Sequence, residues 1–254
     1  MRILHVVHQY PPEYSGGTEY YTGWLTRALQ QRQHEVALFH RASGQGSGLN
    51  QREEAGVSVY SAWDGAMTPN GRFRATFGSK PLHNAFSQVL AQTRPEIIHL
   101  QHLMGLPASI GRQIWQANIP YVVTLHDYWY GCANAQLITN YDNTLCAGPN
   151  WWLNCARCAL ARAGRPNLAL AQPLIAPLFA ARHHLLRRVL ARAAAIIAPS
   201  EFVQQQYAAL GLPTEQMRVV RHGIALPDAA NQQILAAERP FPHQPLTITY
   251  IGGL

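Results

Sequence analysis

Lysine is almost missing: Lys80 is the only one in 254 residues, so arginine supplies nearly all of the 20 basic side chains. Acids are scarce as well, 13 against those 20, which leaves a formal charge of +7. An excess of this sign suits phosphate groups, an anionic lipid surface or nucleic acid, although an arginine bias also follows from base composition alone. No basic stripe interleaved with aromatics and no recognition helix is visible, so nucleic acid is not expected as a partner. No apolar run is long enough to span a membrane. The most apolar stretch, 168–181, is interrupted by Gln172, Pro173 and Pro177 and stops at Arg182. Nor is a leader segment expected, because Met1-Arg2 runs straight into Ile3-Leu4-His5-Val6-Val7. The expectation is a cytoplasmic protein, with one qualification. The basic stretch 182–192 reads either as a solvated helix face or as a surface held peripherally against the inner face of a membrane. In a reducing compartment, four cysteines point to thiols or metal ligands before disulfides.

What is present is an alternation of apolar runs and helical patterns. Apolar residues make up 48% of the chain, enough for one large α/β domain, or one domain and a fragment of another. Short β-branched runs without polar alternation lie at 3–7, 36–39, 57–60, 97–100, 121–125, 194–198 and 217–220, and read as strands buried on both faces. Helical periods fall between them. The first helix, to about residue 33, is expected to bury Tyr21, Trp24, Leu25, Ala28 and Leu29, with Ser15 or Thr18 as its cap. Residues 43–51 read as a Gly/Ser/Gln loop and 63–79 as a mobile surface loop. The fold class is therefore α/β, a doubly wound and mostly parallel, Rossmann-like sheet. Residues 1–226 form the main domain, with a cysteine-containing insertion at 128–165. A Pro/Ala/Gln-rich linker is expected at 227–245, and the run at 246–254 is expected to be the first strand of a second domain that the chain does not complete.

Chemistry is expected at the carboxyl ends of the parallel strands. The run 121–125 delivers His126 and Asp127 there, and the run 97–100 delivers His102. Gly16 and Gly17, followed by Glu19, open the first helix and bring backbone amides toward its positive end. A tight turn is the plainer reading of two adjacent glycines. Ser200 follows the strand at 194–198 and is placed to cap the next helix. The spacing Cys132-x13-Cys146-x8-Cys155-x2-Cys158 admits a structural zinc, disulfides or free thiols.

Taken in order, these pieces resemble the N-terminal, acceptor-side domain of a family-4-type retaining glycosyltransferase with the two-Rossmann-domain (GT-B) fold. The resemblance rests on Pro11-Pro12 before Gly16-Gly17-Thr18-Glu19, and on His34-Glu35-Val36. It continues through Pro95-Glu96-Ile97-Ile98-His99 with His102, and Thr124-Leu125-His126-Asp127-Tyr128-Trp129. Ala198-Pro199-Ser200, Val219-Val220-Arg221-His222-Gly223-Ile224 and the terminal Tyr250-Ile251-Gly252-Gly253-Leu254 complete it. One departure is His222 and Ala225, where the family pattern reads Asn-Gly-Ile-Asp. The resemblance implies transfer of a sugar from a nucleotide-diphosphate sugar to a carbohydrate or lipid-linked glycan, with no catalytic metal. It implies His126 and Asp127 as catalytic residues, and Gly16, Gly17, Glu19, His102 and Ser200 as donor- or acceptor-binding residues. The half expected to bind the donor, in this reading, is missing or separately encoded. The alternative is a non-catalytic module that binds a glycan or pairs with such a partner.

Overall fold

In the computed structural model, residues 1–43, 46, 48–65 and 68–223 are described. The expected linker, the strand at 246–254, Ile224 and Ala225 lie outside them. Met1–His222 forms one compact unit.

Its chain order is β1 (Arg2–Val7), α1 (Gly17–Gln31), β2 (Glu35–Arg41), β3 (Leu49–Glu54), β4 (Val57–Ala62), α2 (Pro69–Ala75), α3 (Lys80–Thr93) and β5 (Ile97–Leu100). It continues with α4 (Ser109–Gln116), β6 (Tyr121–Thr124), α5 (Leu153–Arg162), α6 (Gln172–Ala191), β7 (Ala195–Ala198), α7 (Glu201–Ala209) and β8 (Met217–Val219). The eight strands form one sheet ordered β3-β4-β2-β1-β5-β6-β7-β8. Every neighbouring pair is parallel except β3 with β4. The order reverses at β1, which pairs with β2 on one side and β5 on the other. Such a reversal opens a crevice beyond the strand ends, where doubly wound sheets bind ligands.

The apolar runs behave as parallel strands should. Leu4, Val6, Ile98, Leu100, Val123 and Ile196 are wholly buried in a single core cluster that crosses the sheet. Behind it, Tyr121 ties α4 to α6: its hydroxyl accepts from Trp115 Nε1 at 3.0 Å and donates to the carbonyl of Val189. Gly111 permits this approach, since a Cβ there would stand 3.1 Å from Val189 Cγ2.

Three expectations need correction. The segment at 43–51 is a loop only in part, because Leu49–Glu54 is an antiparallel edge strand joined to β4 through Ala55 and Gly56, both at positive φ. The segment 63–79 contains helix α2, started by Pro69 at its first position and by Thr68, whose Oγ1 accepts from Gly71 N at 3.0 Å. The face of α1 is also different. Its buried line runs through Glu19, Thr22 and Thr26, while Trp24 is exposed. Thr22 turns its hydroxyl back to the Thr18 carbonyl at 2.7 Å, which satisfies it inside the core. The N-cap is Gly16, with no side-chain cap bond from Ser15 or Thr18.

Candidate active site

The carboxyl ends of β1, β5 and β6 gather a group of histidines around one amide. Gln101, immediately after β5, is fully buried. Its Oε1 lies 2.9 Å from His126 Nε2, and its Nε2 lies 3.3 Å from His5 Nδ1 and 3.2 Å from His99 Nδ1. An amide nitrogen donates and an amide oxygen accepts, so the orientation fixes the imidazoles. His5 and His99 accept at Nδ1, and His99 then gives its Nε2–H to Thr124 Oγ1 at 2.7 Å. His126 donates from Nε2, which leaves Nδ1 as an acceptor. Burial keeps these rings neutral. It lowers His126 to about 3, helped by the neighbouring His102 and His222, and it lowers His5 to about 4.

The ring of His126 meets Tyr21, one turn into α1, at 5.3 Å between centroids, and His222 at 4.9 Å. Tyr21 stacks on His222 at 4.1 Å. The start of α1 and the end of β6 therefore stand on the same rim of the sheet.

Asp127 does not orient His126; Gln101 does. The Asp127 carboxylate meets His102 Nε2 at 3.1 and 3.2 Å and accepts from Trp129 N at 2.8 Å. It thus closes the turn after β6 and holds the end of β5 together with it. Met104 N donates to His102 Nδ1 at 3.0 Å, so the His102 proton sits on Nε2 and points at the carboxylate. Burial would raise the Asp127 pKa, but the neighbouring His102 and the Trp129 amide outweigh it, and the net shift is downward. The hydroxyl of Tyr207 on α7 adds a bond to the Asp127 carbonyl at 2.7 Å.

His8, just after β1, lies against His102 with ring centroids 4.5 Å apart and the planes tilted by 45°. Its Nε2 approaches Glu19 Oε1 at 3.5 Å. Burial, with help from His102, Arg72 and His126, holds His8 well below its ordinary pKa, so this approach is not an ion pair. Glu19 itself is buried and curls over the start of α1. A Cβ on Gly16 would lie 2.6 Å from its Oε2, whereas a Cβ on Gly17 would meet nothing within 4 Å. The two glycines thus differ: the first makes room for a carboxylate, and the second borders open space.

Ser200 is the N-cap of α7, with its Oγ accepting from Val203 N at 3.3 Å. No described contact joins it to the histidine rim. Sequence reasoning missed Gln101, His5, His8 and Tyr21. The first three shared a signal, polar residues in or directly after apolar strands, where a buried polar group needs a partner.

The four cysteines lie elsewhere. Cys132, Cys146, Cys155 and Cys158 are free thiols lining one cavity of about 410 Å³, bounded also by Phe73 of α2 and Phe179 of α6. Burial and the neighbouring sulfurs raise Cys155 to about 12, and burial raises Cys158 as well. Protonated thiols are poor nucleophiles. Among the described residues, no group of three or more His, Cys, Asp or Glu side chains is arranged to hold a metal ion. The expected zinc ligands share a cavity without forming a coordination shell. Arg182, expected in the basic surface stretch, is internal instead. It donates to the Trp129 carbonyl at 2.6 Å and lies 4.6 Å over the Trp129 ring, anchoring the start of the cysteine-bearing excursion.

Residues 16–223 match the model of one family, described as the glycosyl transferase 4-like domain. No curated protein sequence matches the chain. Among solved structures, sucrose-phosphate synthase from Thermosynechococcus elongatus is similar at 16% identity and a TM-score of 0.53, covering 93% of this chain and 52% of that one. Anabaena HepE in complex with UDP is similar at 14% identity and a TM-score of 0.44, covering 93% and 50%. The catalytic domain of starch synthase IV from Arabidopsis thaliana, bound to ADP and acarbose, gives 14%, 0.45, 87% and 51%. The first of these likenesses speaks for the fold. The chain spans about half the length of the structures it matches.

Proposed function

Because the chain belongs to the glycosyl transferase 4-like family, we propose that it is the acceptor-side half of a glycosyltransferase. In this reading the enzyme transfers a sugar, with retention, from a nucleotide-diphosphate sugar to a carbohydrate or lipid-linked glycan. A donor-binding domain, joined to it or separately encoded, completes the cleft. The observation that carries the proposal is the rim itself: a neutral, oriented His126 facing the start of α1 at the point where the strand order reverses.

Retaining transfer builds positive charge on the sugar ring and negative charge on the departing phosphate, and polar groups fixed in advance lower that barrier. His126, with its Nε2–H committed to Gln101, offers Nδ1 to a sugar hydroxyl. Asp127 and His102 hold the two strand ends in register beneath it. Gly17 leaves space for a sugar ring beside α1. The phosphate charge is met by the donor-binding half, so no catalytic metal is assigned. Ser200 stays a helix cap in this account. A structural zinc at Cys132, Cys146, Cys155 and Cys158 would brace the excursion outside the chemistry. It is supported by the shared cavity and by the amide N–H of Asn140, 3.2 Å from Cys158 Sγ. Metal analysis of protein purified under reducing conditions tests it, and absence of zinc removes it.

The test of the main reading is transfer from a panel of labelled nucleotide sugars by the chain paired with its donor-binding half. His126→Ala should lower turnover by about a hundredfold or more, the scale of losing one preorganised group. Unchanged turnover would remove His126 from the chemistry. Glycan binding without turnover in every pairing would favour the non-catalytic module.

A further inference from the structure

Helix α6 carries one stripe whose N-terminal leucines nothing in the described structure covers, while Leu185 further along packs partly on the core. At about 100° per residue, Leu174, Leu178, Leu185, Arg188 and the C-cap Arg192 fall on a single face. Leu174 and Leu178 are 81% and 51% exposed, and Leu170, in the turn leading into the helix, is 95% exposed. Scattered exposed leucines are ordinary, but a contiguous row marks a contact surface. The row passes directly into a cavity of about 590 Å³ lined by Arg112, Arg188, Arg192 and Trp115, together with Leu185 and Thr76. Arg192 lies 4.3 Å over the Trp115 ring, which holds its guanidinium in place. Among the described residues none of these three arginines has a carboxylate within ion-pair reach. The buried hydroxyl of Thr76 also lacks a partner. The local sequence carries charge of one sign: residues 143–200 contain seven arginines and no aspartate or glutamate.

We propose that this face of α6 docks on an anionic lipid bilayer. The leucines enter the boundary between headgroups and acyl chains, and Arg112, Arg188 and Arg192 take a lipid phosphate at the end of the row. A helix with an apolar row continuing into arginines has the composition of an interfacial element. The acid-free sequence around it removes the repulsion an anionic surface would otherwise meet. Among the described residues no helix is long and apolar enough to cross a membrane, so this contact lies on the surface. The docking face takes Leu185, Arg188 and Arg192 from the stretch 182–192 but not Arg182, which points inward, and it extends N-terminally through Leu178 and Leu174. The proposal does not depend on the chemistry assigned to the histidine rim.

The test is sedimentation of the full chain with vesicles of phosphatidylcholine alone and of phosphatidylcholine mixed with phosphatidylglycerol. Binding is expected to the mixed vesicles only. Arg188→Gln/Arg192→Gln should weaken it by roughly twentyfold, about fivefold per basic side chain. Leu174→Ser/Leu178→Ser should weaken it by about tenfold or more, and both variants should keep the wild-type melting temperature because the replaced side chains are exposed. Equal binding to both vesicle types, or to neither, would overturn the proposal. So would calorimetric binding of inorganic phosphate without vesicle binding, which marks a soluble-anion site. Self-association abolished by the leucine variant, again without vesicle binding, would mark a second copy as the occupant.

Discussion

Replacing Gln101 with leucine tests the arrangement on which the rim depends. The amide is wholly buried and serves three imidazoles, at 2.9, 3.2 and 3.3 Å. Leucine fills a similar volume but serves none of them. A buried polar group left without a partner costs about 1–3 kcal/mol. The three groups are neighbours, so their costs do not add in full. His126 also keeps some access to water, and the two fully enclosed acceptors, His5 Nδ1 and His99 Nδ1, set the scale. The loss should be about 2–4 kcal/mol. In a domain of this size each kcal/mol moves the melting temperature by about 2–4 °C, so Gln101→Leu should melt roughly 5–15 °C lower. Circular dichroism melting at neutral pH reads this directly. Gln101→Glu is the informative companion: it keeps the shape, and its carboxylate would raise the His126 pKa from about 3. A Gln101→Leu melting point indistinguishable from wild type would refute the network, and with it the assignment of His126 Nδ1 as the exposed acceptor.

Acid should weaken the fold early. His5 and His40 are lowered to about 4, His126 to about 3, and His8 and His99 well below their ordinary range, all chiefly by burial. The unfolded chain binds protons at these positions near pH 6.5 while the folded chain does not, so stability is complete above that pH. It declines as the pH falls toward about 4, by up to about 1.4 kcal/mol per pH unit for each such histidine; denaturant midpoints that stay flat across this window would contradict the burial. Gly16→Ala should cost about 1–3 kcal/mol by driving a methyl into the Glu19 carboxylate, whereas Gly17→Ala should gain up to about 1 kcal/mol of helix propensity. Melting temperatures in the opposite order would invert the roles given to the two glycines. Ala55→Gly, at φ 50° in the turn between β3 and β4, should raise the urea midpoint by the equivalent of about 1 kcal/mol, and a fall would show that the turn is not strained.

How much was legible in the sequence followed from burial. The runs at β1, β5, β6 and β7 are covered on both faces, so they read as unbroken apolar stretches and identified the sheet at once. Strand β3 was invisible because it lies at an edge: Asn50, Gln51, Arg52, Glu53 and Glu54 owe their extended shape to pairing with β4 and carry no apolar alternation of their own. Helix α2 has seven residues, too few for a period to show, and only Thr68 and Pro69 announced it. The face of α1 misled because Tyr21 and Trp24 look like core, while the residues inside are threonines and a glutamate. At the rim, His126, Asp127 and His102 could be placed by strand ends alone. Which of them touches which could not, because that depends on Gln101, a lone amide without a motif, and on the register that sets His5 beside His99.

The curled Glu19 has a consequence for selectivity. The positive pole of α1 already faces the Glu19 carboxyl, housed in the notch that Gly16 leaves. A free phosphate arriving here would compete with that carboxyl for the same helix end, while an uncharged polyol would meet no such rival. In the reading proposed above, that lip of the crevice would favour a neutral sugar and leave the phosphates to the donor-binding half.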